Sequence, residues 1–358
     1  MTLSEILHHS ITNLPITQTK EKSFRAGLRD VLNTFYELVL TSENQNEHLA
    51  KRLDVLIKGI LQTIDYYYQG KPSDAYNRLR KCLSESKTAE YLEKKGYIDM
   101  YTNLYRIRKK SSNYPMQKRD LFHIPFEQRG TVSTQRYSIP GLPSLYLSNS
   151  IYVAWEEMRR PDINEIQAVR LQNVRPLQVL DMSTDDYNRN NSKDVLDEVD
   201  IVPKLLTWPL IAACSIKVRN SAETFKPEYI ISQLMLQWIN KNKLDGIKYS
   251  STHINTAEKQ HEAKLYNIVI PVKDLKEDVG YCNTLLNTFN GTEVLPMQLR
   301  AFAAVTDRFH SQSSPSIHVN PDIITLELVT GKEEMYWATS FGVLEHALKG
   351  LDLGKICD

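Results

Sequence analysis

A change of texture near residue 100 constrains this chain more than any other feature. Before it, apolar residues recur at three- and four-residue spacing: Phe24, Leu28, Val31, Leu32, Phe35 and Val39, then Leu53, Leu56, Ile57, Ile60, Leu61 and Ile64. That period places each set along one helix face and marks both stripes as core. Gly70-Lys71-Pro72-Ser73 breaks the pattern, and Ser73 is placed to cap a further helix carrying Tyr76, Leu79 and Leu83. The consecutive Tyr66, Tyr67 and Tyr68 cannot share one helix face, so at least one ring is expected at the surface or an interface.

Beyond that point short β-like runs take over: Leu104–Ile107, Leu121–Ile124, Ser144–Leu147, Ile166–Leu171, Gln178–Leu180 and Gly246–Tyr249. One helix among them should start near Ser150. Another has Pro227 as its first residue and Ile231, Leu234, Met235, Trp238 and Ile239 on its buried face. Thr184–Asp200 reads as a polar surface loop running into a short helix. Ile323–Val329 and Glu334–Thr339 flank Thr330-Gly331-Lys332 as a hairpin, and Ser340 is expected to cap a last helix through Leu348. Strands mixed irregularly with few helices predict an α+β fold rather than a doubly wound α/β sheet. The expected division is an all-α region over 1–98, a mixed domain over 99–275 and a C-terminal extension over 276–358 with a hairpin and helix packed on the core.

At 358 residues the chain exceeds what one hydrophobic core usually serves. With 44 Lys plus Arg against 43 Asp plus Glu, nothing in the net charge attracts nucleic acid or an acidic membrane. A phosphate-bearing ligand would have to be held by local arginines. Cys82, Cys214, Cys282 and Cys357 are scattered without metal-ligand spacing, which favours a reducing compartment and argues against structural zinc. The N-terminal stretch is too polar for a signal peptide, no apolar run reaches the roughly 18 residues of a membrane span, and a cytoplasmic protein is expected. Asp185 and Asp186 are the nearest thing to a carboxylate pair, and their loop reads as solvated. A nuclease is therefore disfavoured.

Thr134–Glu157 concentrates the chemistry. Arg136 offers a planar fork of donors suited to a pair of pyrophosphate oxygens. Gly141 and Pro143 make a rigid turn, Tyr146 lies in the strand Ser144–Ser148, and Ser150 can cap a helix ending near Glu157. An arginine, tyrosines and a glutamate so arranged can hold a dinucleotide and stabilise positive charge developing on its sugar. An ordinary strand–turn–helix with surface Arg and Glu is the competing reading.

These residues resemble the RES domain, a family of bacterial NAD-degrading toxins whose fold is related to ADP-ribosyltransferases. Leu104-Tyr105-Arg106-Ile107 is similar to the Tyr-Arg strand that opens the domain. Gln135-Arg136-Tyr137-Ser138-Ile139-Pro140-Gly141, then Leu145-Tyr146-Leu147-Ser148, then Ser150, Ala154 and Glu157, resemble its Gly-Arg-Trp-Asn turn, Leu-Tyr strand and glutamate. Leu244–Ser251 is similar to the late strand ending in the family's serine, and Val179-Leu180-Asp181 to the strand after the acidic helix. The resemblance covers residues 103–275. The turn departs from the family at Gln135, Tyr137 and Ser138, and the inserted Lys109–Arg129 adds His123 and Arg129. Spacing favours Glu157 and leaves Glu156 open; Ser251 is favoured with Ser250 open.

The resemblance implies an ADP-ribosyltransferase-like mixed β core and an enzyme that takes NAD as substrate, with no cofactor or metal. Glu157 would stabilise the oxocarbenium character on the ribose as nicotinamide leaves. Arg106 and Arg136 would neutralise the pyrophosphate, and Tyr105, Tyr137 or Tyr146 would pack against nicotinamide or sugar. Ser251 would hydrogen-bond the amide or ribose, with Ser148 and His123 completing the binding set. Water as acceptor gives a glycohydrolase, inorganic phosphate a phosphorylase, and a protein side chain an ADP-ribosyltransferase. The first two are implied ahead of the third. An antitoxin or self-association through the helical region is the expected partner, and a catalytically inactive nucleotide- or partner-binding module is the rival reading.

Overall fold

The structure is a computed structural model that describes residues 1–19, 21–43, 46–93, 96–110, 112–184, 187, 198–241, 244–254, 264–274, 278–300 and 323–357. Asp185, Asp186 and most of the loop expected over 184–200 lie outside the described residues. Helices α1 (Leu3–Leu7), α2 (Phe24–Leu40), α3 (Glu47–Tyr68), α4 (Pro72–Glu85) and α5 (Thr88–Glu93) come first. Strands β1 (Tyr97–Ile98), β2 (Asn103–Lys109) and β3 (Ser144–Ser148) lead to helix α6 (Ile151–Glu157). Strands β4 (Ile166–Asn173) and β5 (Leu177–Met182) precede helices α7 (Glu198–Cys214) and α8 (Ile230–Lys241). Then follow β6 (Gly246–Tyr249), β7 (Asn267–Pro271), α9 (Asn283–Leu286), β8 (Phe289–Gly291) and β9 (Leu295–Pro296). The hairpin β10 (Thr325–Val329) and β11 (Lys332–Met335) and helix α10 (Ser340–Lys349) complete the order. This is the α+β arrangement expected, helices first and a mixed sheet after them.

Contacts gather the chain into two compact units, each drawn from separate stretches. The first comprises the described residues within 1–96, 133–139 and 179–260. Its α2 buries Leu28, Leu32, Phe35 and Val39, and α3 buries Leu53, Leu56, Ile57, Ile60 and Ile64, so the helical period does locate the core. Phe35 stacks on Trp208 of α7 at 4.1 Å, and the indole N–H donates to the Thr12 carbonyl at 3.1 Å. Tyr66 and Tyr67 are half-buried while Tyr68 is exposed. Ser73 does not cap α4: Lys71 stands at the cap and Pro72 opens the helix, where its fixed φ and missing N–H fit. Pro227 opens a 3-10 turn that runs into α8, and Ile231, Leu234, Met235, Trp238 and Ile239 are buried. Helix α7 is longer than the short one expected, with Pro203 and Pro209 inside it masking its signal. Strand β5 runs parallel to β6, Val179 opposite Gly246.

The second unit comprises the described residues within 97–132, 140–178 and 261–358. Its strands run in the order β7–β3–β2–β4–β8 with every neighbour antiparallel. Strand β9 pairs with the start of β4, and β1 with the first two residues of β5. Register aligns Asn267 with Ser148, Ser148 with Tyr105, and Tyr105 with Arg170. Side chains alternate along a strand, so this row shares one face and Arg106 leaves β2 on the other. Helix α6 packs on β2 and β3, and α10 packs on α6 and β4. Two expectations fail here. Leu121–Ile124 is not a strand, because Lys118–Leu121 forms a 3-10 turn fixed by a capping pair between Gln117 and Asp120. Thr339, not Ser340, caps α10, accepting from the Gly342 N–H at 3.2 Å. The hairpin forms with shorter arms, and Gly331 takes the left-handed φ of 78° that its turn needs.

Candidate functional site

Three successive polar residues, Ser148-Asn149-Ser150, link β3 to α6, and all three are buried. A buried polar side chain needs a partner, and each has one. Ser150 caps α6 through the Val153 N–H at 3.1 Å. The Asn149 side chain donates to the Lys264 carbonyl and accepts from the Tyr266 N–H, tying the helix start to the approach of β7. Ser148 Oγ donates to Asn267 Oδ1 at 2.5 Å, and Asn267 Nδ2 donates to Glu157 Oε1 at 3.0 Å. The carboxylate at the end of α6 is thus held by an amide, and the amide by a hydroxyl. Glu157 is half-buried. Nothing in the sequence motifs pointed to Asn267; the only signal was one polar residue heading the apolar strand Asn267–Pro271.

Its neighbour has a different environment. Glu156 is buried and receives Arg160 Nε at 3.0 Å and Nη2 at 2.9 Å, a two-point pair within one helix turn. Arg160 reaches back from a left-handed backbone, φ 53°, and lies over Trp155. The structure gives Glu156 an internal partner and Glu157 the sheet-end amide.

The remaining expected residues of this unit divide. Arg106 is half-buried, yet its Nη1 is enclosed and has no hydrogen-bond acceptor among the described residues. Burial, aided by the like charge of Arg108, lowers its pKa to about 10. No hydrogen bond or ion pair joins Arg106 to Glu157 among the described residues. Tyr146 is half-buried in β3. Tyr105 is 1% exposed, its pKa raised by burial and by Glu345, so the ring expected to touch a ligand is a core residue. Ser148 uses its proton on Asn267, which makes it a support for Glu157 rather than a free contact.

His123 is also corrected. It is 1% exposed, Nε2 accepts from the Cys282 N–H at 2.9 Å, and Nδ1 lies 2.8 Å from the Ile124 carbonyl. Those partners require the neutral ring with its proton on Nδ1, leaving nothing for a ligand. Burial lowers its pKa from 6.5 to about 4. The folded form therefore resists protonation, so this stability is complete above pH 6.5 and is lost as pH falls through 4, about 3 kcal/mol in all. Chemical unfolding between pH 7 and 4 checks this. His123→Phe protein should start less stable at pH 7 and lose less on acidification.

In the other unit, Arg136 Nη1 donates to the Cys214 carbonyl at 2.8 Å, and Nη2 to the Ile216 carbonyl and Thr252 Oγ1 at 2.8 and 3.0 Å. Its guanidinium lies 5.1 Å from the Tyr229 ring centre. The residue expected to bind pyrophosphate is a clamp on its own unit, so Arg136→Ala would leave buried acceptors unpaired and weaken the fold. Tyr137 is buried against Tyr249 at 4.7 Å. Ser250 Oγ accepts from the Thr184 N–H and Ser251 Oγ from the His253 N–H, and both serines are buried. Neither contact separates one serine from the other. Among the described residues no group of three His, Cys, Asp or Glu could hold a metal ion, and no helix is long and apolar enough to cross a membrane.

A family model, the RES domain, matches residues 103–279. In a 352-residue alignment that covers 93% of this chain and 77% of the relative, the chain is 30% identical to the Bacillus subtilis (strain 168) protein named "Putative toxin YopC". Among solved structures, the crystal structure of the M. tuberculosis MbcT–MbcA toxin–antitoxin complex aligns over 61% of this chain and 97% of that one, with 12% identity and a TM-score of 0.31. This chain belongs to the RES domain family.

Proposed function

We propose that this protein is a toxin that cleaves the nicotinamide–ribose bond of NAD, by phosphorolysis or hydrolysis. The observation that carries the reading is the carboxylate of Glu157, fixed by Asn267 and Ser148 in the stretch the RES family match covers. Nicotinamide is a good leaving group, and what its departure needs is negative charge beside the ribose as positive charge develops there. A carboxylate already fixed by a hydrogen bond supplies that charge without reorganising. Arg106, whose enclosed Nη1 has no acceptor among the described residues, suits a phosphate oxygen. Arg106 leaves β2 on the face opposite the Ser148–Asn267 row, so a pyrophosphate held there would have to reach round the sheet from a ribose beside Glu157.

A relative named as a toxin supports the biological half of the reading. An enzyme that drains NAD must be restrained in the cell that makes it, and an antitoxin is the partner we expect. The test is to incubate the full chain with NAD, with and without inorganic phosphate, and resolve the products. Nicotinamide with ADP-ribose means hydrolysis. A phosphorylated ADP-ribose formed only with phosphate means phosphorolysis. NAD unchanged under both conditions would sink the proposal and favour a binding module.

A further inference from the structure

The helix that carries Glu157 is short, and its start is held from outside the matched family region. The first N–H of α6, on Ile151, donates to Glu345 Oε1 at 2.7 Å. The same oxygen receives the Tyr336 hydroxyl at 2.5 Å. Glu345 and Tyr336 are 2% and 1% exposed, so both bonds are sheltered from water. A carboxylate at the helix start satisfies a donor that has no intrahelical partner and lies at the positive end of the helix dipole.

The surrounding packing leaves this arrangement little freedom. Phe341, one turn before Glu345 on α10, meets Tyr152 and Trp155 of α6 with ring centres 5.7 and 5.1 Å away. Gly342 brings α10 against the turn that carries Tyr336: a Cβ there would stand 2.2 Å from the Tyr336 carbonyl oxygen. The aromatic contacts therefore set where α10 lies on α6, and the glycine sets where Tyr336 lies on α10. Glu345 is held from both sides.

We propose that Glu345 is a positioning residue for Glu157, and that the segment beyond residue 279, outside the family match, is through it a working part of the site. Glu345 fixes the start of α6 and Asn267 fixes the carboxylate at its end, so the helix is anchored at both termini. Releasing the start lets the helix shift, and displacements of about an ångström can cost about 100-fold in rate. This rests on the NAD-cleaving reading, but its structural half can be read without activity.

The experiment uses the full chain with Glu345→Ala, Glu345→Gln and Tyr336→Phe. Hydrogen exchange is followed in the 151–157 segment, and kcat and KM are measured for NAD. Glu345→Ala should speed exchange in 151–157 and lower kcat about 10- to 100-fold with KM little changed. Glu345→Gln keeps the acceptor oxygen and should recover most of the loss. Tyr336→Phe keeps the ring, loses one bond to Glu345, and should fall between; it decides the matter if the alanine variant does not fold. Unchanged exchange in 151–157 overturns the proposal, and so does faster exchange with wild-type kcat. If the wild-type protein leaves NAD intact, the NAD-cleaving reading fails, and exchange still decides whether Glu345 holds α6.

Discussion

Glu157→Gln protein should lose NAD consumption by about 100- to 1000-fold, the cost of removing one well-placed electrostatic group. Glutamine has the same shape, and its carbonyl oxygen can still accept from Asn267 Nδ2, so the side chain should stay where Glu157 Oε1 now lies. What disappears is the charge. The matched control is Glu156→Gln. Glu156 is buried and holds Arg160 with both oxygens beside the Tyr152 hydroxyl, so Glu156→Gln should lower stability by about 1–3 kcal/mol while leaving NAD loss nearly intact. NAD consumption and thermal unfolding of both variants, measured side by side, settle the assignment. A dead Glu156→Gln with an active Glu157→Gln would reverse it.

What the residue pattern revealed, and what it hid, follows from the range of the interactions. Helices α2 and α3 announce themselves because burial on one face repeats within a few residues, and Ser150 because a cap is a local contact. The strand, cap and helix that lead to Glu157 are legible for the same reason, because they are contiguous. Asn267 is not, since it meets Glu157 only when β7 pairs with β3, 110 residues away along the chain. Glu345 is further still, 194 residues from the amide it holds. Arg136 shows the opposite failure. An arginine beside a turn reads as a ligand group, but two of its acceptors are the backbone carbonyls of Cys214 and Ile216, and carbonyls leave no mark in a sequence. His123 and Tyr105 misled for a related reason, because a polar or aromatic residue in an apolar run looks the same whether its partner is a ligand or the core.

Arg106→Met should do two things that seldom go together: lower NAD consumption by at least about 100-fold and make the protein more stable. The stability gain comes from Nη1, an enclosed donor without an acceptor among the described residues, on a guanidinium whose pKa is lowered to about 10 by burial and by Arg108. A buried donor left unpaired costs about 1–3 kcal/mol, and methionine of similar length fills the space without that cost. A phosphate oxygen would supply the acceptor that Nη1 lacks among the described residues. Ligand should therefore remove the penalty. Pyrophosphate should raise the unfolding temperature of wild-type protein, because it binds the folded state alone, and should leave Arg106→Met unmoved. Thermal unfolding with and without pyrophosphate reads both effects. An Arg106→Met protein that melts below wild type would mean the guanidinium is held by the fold itself, and the phosphate role would fall with it.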